Sequence, residues 1–191
     1  LGKASMSSGE FDKTIEYCNK ALSISEKSNF IRGKSNAYHI MGIVYTNQSQ
    51  YQLALKYNYE ALKLREEMGD KKGIAGTSNN IGIIYMNQSN YAPSLNMFFK
   101  ALKINEELKN LEWAAGNYNN IGIIYLIQKQ YPEALKYFHE VLETYIALDD
   151  RPSQNHPFNN IGNVYFEQGK YSEALQNYKV ALEIRKEIGD L

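Results

Sequence analysis

The chain has 191 residues, 43% of them hydrophobic, and its 21 Lys and Arg balance its 21 Asp and Glu. A neutral chain lacks the basic excess that a nucleic-acid-binding face or a polybasic membrane anchor requires. No apolar run reaches the roughly 20 residues that span a bilayer, and the single cysteine, Cys18, cannot form an internal disulfide.

In chain order the sequence reads as five copies of one pattern, 1–29, 30–69, 70–109, 110–149 and 150–191, the first cut short at its start. Gly42, Gly82, Gly122 and Gly162 stand 40 residues apart, as do Tyr45, Tyr85, Tyr125 and Tyr165, and Leu62, Leu102, Leu142 and Leu182. Stepping back by the same interval lands on Gly2, Phe11, Ile15 and Leu22 in the first copy. Each copy predicts two helices. In the first, Tyr118, Ile121, Gly122 and Tyr125 fall at i, i+3, i+4 and i+7, one helical face. A short polar turn such as NQSQ follows. The second helix then carries Tyr131, Ala134, Leu135, Phe138, Val141 and Leu142 as one stripe. Between copies, Asp70, Asn110 and Asp150 can cap the next helix, and Gly69 can end the previous one.

The last copy departs from the rest. In RPSQNHPFNN, Pro152 and Pro157 occupy positions where earlier copies continue their first helix. Proline is tolerated only in a first turn, so this helix is expected to start late, near His156 or Pro157, after an irregular stretch from about Asp150.

This pattern resembles the tetratricopeptide repeat (TPR), a helical hairpin marked by Leu-Gly, Tyr, Ala, Phe and Ala at set spacings. The matches here are Ile121, Gly122 and Tyr125 followed by Ala134, Phe138 and Val141, and Ile161, Gly162 and Tyr165 followed by Ala174, Tyr178 and Ala181. The 40-residue step is longer than the usual 34, as in TPRs of bacterial sensor kinases, kinesin light chains and spindle-orientation adaptors. The family's proline near the end of the second helix is missing, with Glu66, Glu106, Ile146 and Lys186 in its place, so that helix is expected to run on by a turn or more. The resemblance implies an all-α, right-handed superhelical solenoid of antiparallel hairpins, with the first helices lining its concave side. Gly122 would admit the second helix closely, and tyrosines would wedge between successive units. One hairpin cannot bury its stripe alone, so stability comes from stacking.

Two asparagines recur at one point of the pattern: Asn79 and Asn80, Asn119 and Asn120, Asn159 and Asn160. On a helical wheel they lie opposite the Tyr118–Gly122 face, with Ile123, Leu126 and Ile127, and so face the groove. Asparagine carries both a donor and an acceptor and suits an extended peptide backbone. In the resembling families the second position, here Asn80, Asn120 and Asn160, holds ligand backbone. The alternative is that the amides bond one another or neighbouring helices and fix the curvature. The rest of the expected wall is His39, Ile43 and Thr46, Ile83 and Met86, then Asn163 and Phe166, with Glu167 its one charge. No Lys or Arg stands where TPRs that clamp acidic tails grip carboxylates, so the expected partner is a protein or extended peptide, neutral to mildly apolar.

No catalytic constellation, metal-ligand spacing or cofactor motif is present: His39, His139 and His156 are scattered. Cys18 aligns with Phe98 and Phe138 and reads as a buried packing residue; Trp113, at the start of a first helix, is expected to pack against the preceding copy. Glu66 and Glu67 beside Lys63 read as a solvated face. The chain is expected to be a fragment of a longer protein whose uncapped ends allow self-association. Three functions fit: a non-catalytic sensory or regulatory module of a bacterial histidine kinase or transcription regulator in the cytoplasm (or the periplasmic part of a membrane kinase), a peptide-pheromone-type regulator, and a cargo or assembly adaptor.

Overall fold

The structure, a computed structural model, describes residues 8–189 and is helical throughout, with no strand among the described residues. The expected placement of Leu1 and Gly2 inside a first helix lies outside them. After α1 (Ser8–Lys27), helices follow at the expected step: α2 (Ile31–Asn47), α4 (Lys71–Asn87) and α6 (Leu111–Ile127) begin 40 residues apart, as do α3 (Tyr51–Glu67), α5 (Tyr91–Glu107), α7 (Tyr131–Ala147) and α9 (Tyr171–Glu187). α8 (Asn155–Glu167) is the short one. The second helices run through Glu66, Glu106, Ile146 and Lys186, as the missing proline implied.

The turns repeat at half the step. Asn29, Ser49, Gly69, Ser89, Lys109, Lys129, Asp149, Gly169 and Gly189 all have positive φ, between 52° and 73°. Around each turn the backbone closes the same way, as where Gln50 N–H donates to Tyr45 O at 2.8 Å and Ser49 N–H to Thr46 O at 2.9 Å. This pair satisfies carbonyls that a helix end leaves unpaired and reverses the chain within three residues. Most of these left-handed positions carry side chains, each at a cost that glycine avoids. Asp70 caps α4, its carboxylate accepting from Gly73 N–H at 3.0 Å, whereas Asn110 forms no side-chain cap.

The chain divides into two compact units, Leu1–Met97 and Phe98–Leu191. In the first, α2 packs between α1 and α3, and α3 against α4. Cys18, Ala37 and Met41 form a buried cluster flanked by Ile15, Leu22, Tyr38, Tyr45 and Tyr57. The Cys18 thiol is a buried packing group, and burial pushes its pKa up.

In the second unit α6 packs on α7, α7 on α8 and α8 on α9. Ala134, Phe138, Ile161 and Val164 are its buried cluster, with Ile123, Leu126 and Tyr165 among the half-buried residues against it. A Cβ on Gly122 would stand 2.7 Å from Cε1 of Phe138, so glycine is what lets α7 come this close.

Two expectations are met only in part. The tyrosines pack between hairpins, as where Tyr131 and Tyr165 lie against the α7–α8 cluster and Tyr59 OH meets Tyr85 OH at 3.0 Å. But they also stack within a hairpin: Tyr57 of α3 on Tyr45 of α2 at 5.3 Å, and Tyr137 of α7 on Tyr125 of α6 at 5.5 Å. Their helices are held close by the small residues, so the rings meet across the pair. The stretch before α8 is also more ordered than expected. Pro152–Gln154 forms a 3₁₀ turn, nucleated where Asp150 accepts from Ser153 N–H at 3.1 Å, and α8 starts at Asn155 with Pro157 buried in its first turn.

Candidate interaction surface

In the first unit the surface in question belongs to α2 and α4, which meet along part of their length. Asn79, Asn80, Ile83 and Met86 of α4 are half-buried, while Ile43 of α2 is 40% exposed. The Thr46 hydroxyl is used within its helix, donating to Gly42 O at 2.7 Å. His39 is half-buried, and its Nδ1 is buried without a hydrogen-bond partner. Burial first, and then the nearby Arg65 cation, pushes its pKa down to about 4, with Asn58 acting in the opposite direction.

Arg65 was invisible to the sequence reading, which placed its neighbours Lys63, Glu66 and Glu67 on a solvated face. Only 7% of it is exposed. Its guanidinium donates to Gly73 O at 3.0 Å, to the Thr77 hydroxyl, and to Asn36 Oδ1 at 3.3 Å, joining α3 to α4 and α2. Ser25, Arg65 and Asn105 stand 40 residues apart and are all buried, so this is one seam position filled by unlike residues. Asn105 plays the corresponding part in the second unit, donating to Asn117 Oδ1 at 2.8 Å.

In the second unit α6 meets α8. Asn119 and Asn120 are half-buried, Asn159 is exposed and Asn160 half-buried. The Asn160 amide donates to Asn119 Oδ1 at 2.8 Å, so one pair of these side chains ties successive first helices together. Ile123 and Leu126 lean on the core cluster while remaining partly open to solvent. The Tyr178 hydroxyl donates to Asn163 Oδ1 at 2.8 Å, which holds that amide in place. Phe166, 54% exposed, packs edge-on against Tyr171 at 5.6 Å.

A cavity of about 370 Å³ opens among Leu126, Ile127, Lys129, Asn163, Phe166 and Glu167. Its walls combine apolar side chains, one amide and one charge of each sign. Lys129 was missed because it sits in the turn after α6, outside the helical pattern. A second cavity of about 300 Å³ lies among Lys109, Asn110, Leu111, Glu112, Trp113 and Leu148. Here the expected packing of Trp113 is overturned: the indole is 54% exposed. At the third position of a first helix its side chain stands at the edge of the hairpin, clear of the buried stripe formed by Ala114, Ala115 and Ile121.

No group of three His, Cys, Asp or Glu among the described residues could hold a metal ion, and no helix among them is long and apolar enough to cross a membrane.

Three sequence models described as tetratricopeptide repeat match the chain, at residues 113–187, at 35–68 with 74–108, and at 1–28. The chain belongs to the tetratricopeptide repeat family. Its fold and repeats make it a protein-interaction module, with proteins as its class of partner. Among solved structures it is similar to BtubC (BKLC) from P. vanneervenii, with 20% identity and a TM-score of 0.79 over 95% of this chain and 79% of that one. It is also similar to aspartyl phosphate phosphatase F from Bacillus subtilis, with 19% identity and a TM-score of 0.84 over 95% of this chain and 49% of that one. A Rap protein complexed with competence and sporulation factor matches at 17% identity and a TM-score of 0.74, over 95% of this chain and 51% of that one. The chain thus spans about half of the last two. No curated protein matches the sequence.

Proposed function

We propose that the chain is a non-catalytic sensory or regulatory module of a signalling protein, and that it binds an extended, neutral to mildly apolar peptide segment on the faces of its first helices. In the second unit that face is Asn119, Asn120, Ile123 and Leu126 of α6 with Asn159, Asn160, Asn163 and Phe166 of α8; in the first it is His39 and Ile43 of α2 with Asn79, Asn80, Ile83 and Met86 of α4. The observation that carries the reading is the cavity of about 370 Å³ beside Leu126, Asn163 and Phe166. An apolar peptide side chain would bury there, while side-chain amides on the same face offer both donors and acceptors to its backbone. The Asn160–Asn119 bond shares the amides between structure and recognition. Similarity to a Rap protein in complex with a named factor, and to an aspartyl phosphate phosphatase, favours a signalling role. A peptide-pheromone-type regulator or an adaptor would use the same faces.

At about 1 kcal/mol net per hydrogen bond, a few amide contacts and one buried side chain support micromolar binding, about −8 kcal/mol. The test is to select decapeptides by display against the intact chain and to measure their affinity for it and for the Phe166→Asp and Asn163→Ala variants. The reading expects at least a tenfold loss for Phe166→Asp and a smaller loss for Asn163→Ala. Unchanged affinity in both folded variants would overturn it.

A further inference from the structure

The cavity beside Trp113 shares no lining residue with the proposed first-helix faces, and at Trp113 its composition differs from the same place in other repeats. The position of Trp113 is Gly33, Gly73 and Ser153 elsewhere; that of Leu111 is Ile31, Lys71 and Arg151. Nearby in sequence, Leu108 is exposed, and Ile146, 58% exposed, replaces Glu66, Glu106 and Lys186. Trp113 thus puts a large aromatic ring where other repeats carry glycine or serine, and Ile146 an apolar side chain where they carry charge, whereas Leu108 has apolar counterparts in Met68, Leu148 and Ile188. Exposure of large apolar groups in one place marks an interaction site more often than chance scatter does.

The lining of this cavity includes two charges of opposite sign, Lys109 and Glu112, both exposed. Neither forms an ion pair among the described residues. Lys109 sits in the left-handed turn and Glu112 in the first turn of α6, so each is anchored on a different piece of backbone. Arg151, at the position of Leu111 in the following repeat, is committed to Glu187 at 3.2 Å and to Gln154. An occupant that inserts an apolar side chain against Trp113, Leu111 and Leu148 therefore meets one cation and one anion that lack an ion-pair partner among the described residues.

We propose that this cavity is a second docking site, for a peptide segment of a partner protein that presents one large apolar residue flanked by an acidic residue on one side and a basic residue on the other. The apolar residue buries against the indole, its acidic neighbour pairs with Lys109 and its basic neighbour with Glu112. The opposite signs on the two sides fix the direction in which the segment lies.

Trp113 is the chain's single tryptophan, so its emission reports this cavity alone. The experiment titrates the intact chain with synthetic dodecapeptides carrying a central Leu or Phe between Glu and Lys, in both orders, with Ala-centred peptides as controls. A saturable blue shift of the emission is expected for the Leu and Phe peptides, with one order binding at least fivefold tighter and the Ala peptides at least tenfold weaker. In the double variant Lys109→Glu, Glu112→Lys, whose fold circular dichroism checks, the preferred order inverts. Three results overturn the proposal: no shift with any peptide, an equal shift with the Ala-centred controls, or an order preference that survives the charge reversal. An emission that shifts with protein concentration alone, alongside dimers in sedimentation, also overturns it and assigns the site to a second copy of this chain.

Discussion

Hairpin α2/α3 of the first unit and hairpin α6/α7 of the second share a geometry and differ in what fills it. Tyr38, Tyr57 and Tyr45 repeat as Tyr118, Tyr137 and Tyr125: the stacked pairs lie 8° and 7° from parallel, and the tilted pairs 31° in both. Yet the side chain facing the invariant glycine is Asn58 in one and Phe138 in the other. Asn58 donates to Ala54 O at 2.9 Å and leaves its Oδ1 buried without a partner, beside the equally unpartnered Nδ1 of His39. Phe138 is fully buried among aliphatic groups. The seams to neighbouring hairpins differ as well, with a buried arginine joining α3 to α4 in the first unit and an Asn105–Asn117 pair joining α5 to α6 in the second. Small residues and tyrosines set the spacing of a hairpin; the seam chemistry is then free to vary.

That contrast can be broken most sharply by truncation. Phe138→Ala should cost about 3–5 kcal/mol, as loss of a fully buried aromatic ring does. Asn58→Ala should cost only about 1 kcal/mol, because it removes one hydrogen bond and also an unsatisfied acceptor. Denaturant titrations of the two variants compare them directly, and similar losses would erase the distinction.

Acid separates the units next. His39 titrates near 4 in the folded chain, below its ordinary value near 6.5, so the unfolded chain binds the proton first. Stability is therefore fully present above about 6.5 and falls as pH drops toward 4, by roughly 3 kcal/mol in all. The second unit has only the exposed His139 and His156. His39→Asn, which restores the residue of the later repeats, should flatten thermal stability between pH 6.5 and 4; a slope unchanged by that substitution would place its origin elsewhere.

Smaller effects sharpen the shared part of the design. Gly122→Ala should destabilise by about 1–3 kcal/mol, because the new methyl meets a ring that cannot retreat. Ser49→Gly should stabilise by roughly 1 kcal/mol, relieving a left-handed side chain at a turn where Gly69 and Gly169 already use glycine. Melting curves check both.

The sequence made the periodic part legible. Glycine, tyrosine and alanine spacings gave the hairpins and their step, since each of those residues is fixed by how closely two helices approach. Asp70 announced its cap, and the two prolines announced a late α8. The seams were illegible for a physical reason: Arg65 looks like any surface arginine until a partner helix covers it, and its hydrogen bonds reach residues 8 to 29 positions away. The asparagine pairs were located by pattern, but only coordinates could show Asn160 bonded to Asn119. Trp113 misled because its place in the repeat, at the edge of the stripe, leaves an indole open as readily as packed.

The central claim, that partners are read on the first-helix faces, is tested most directly by methyl NMR of the intact chain with a display-selected decapeptide at saturation. Binding on those faces predicts that the methyl resonances of Ile123, Leu126 and Ile127 shift while those of Leu142, Leu175 and Leu182 on the second helices stay in place. Shifts confined to the second-helix methyls would contradict it.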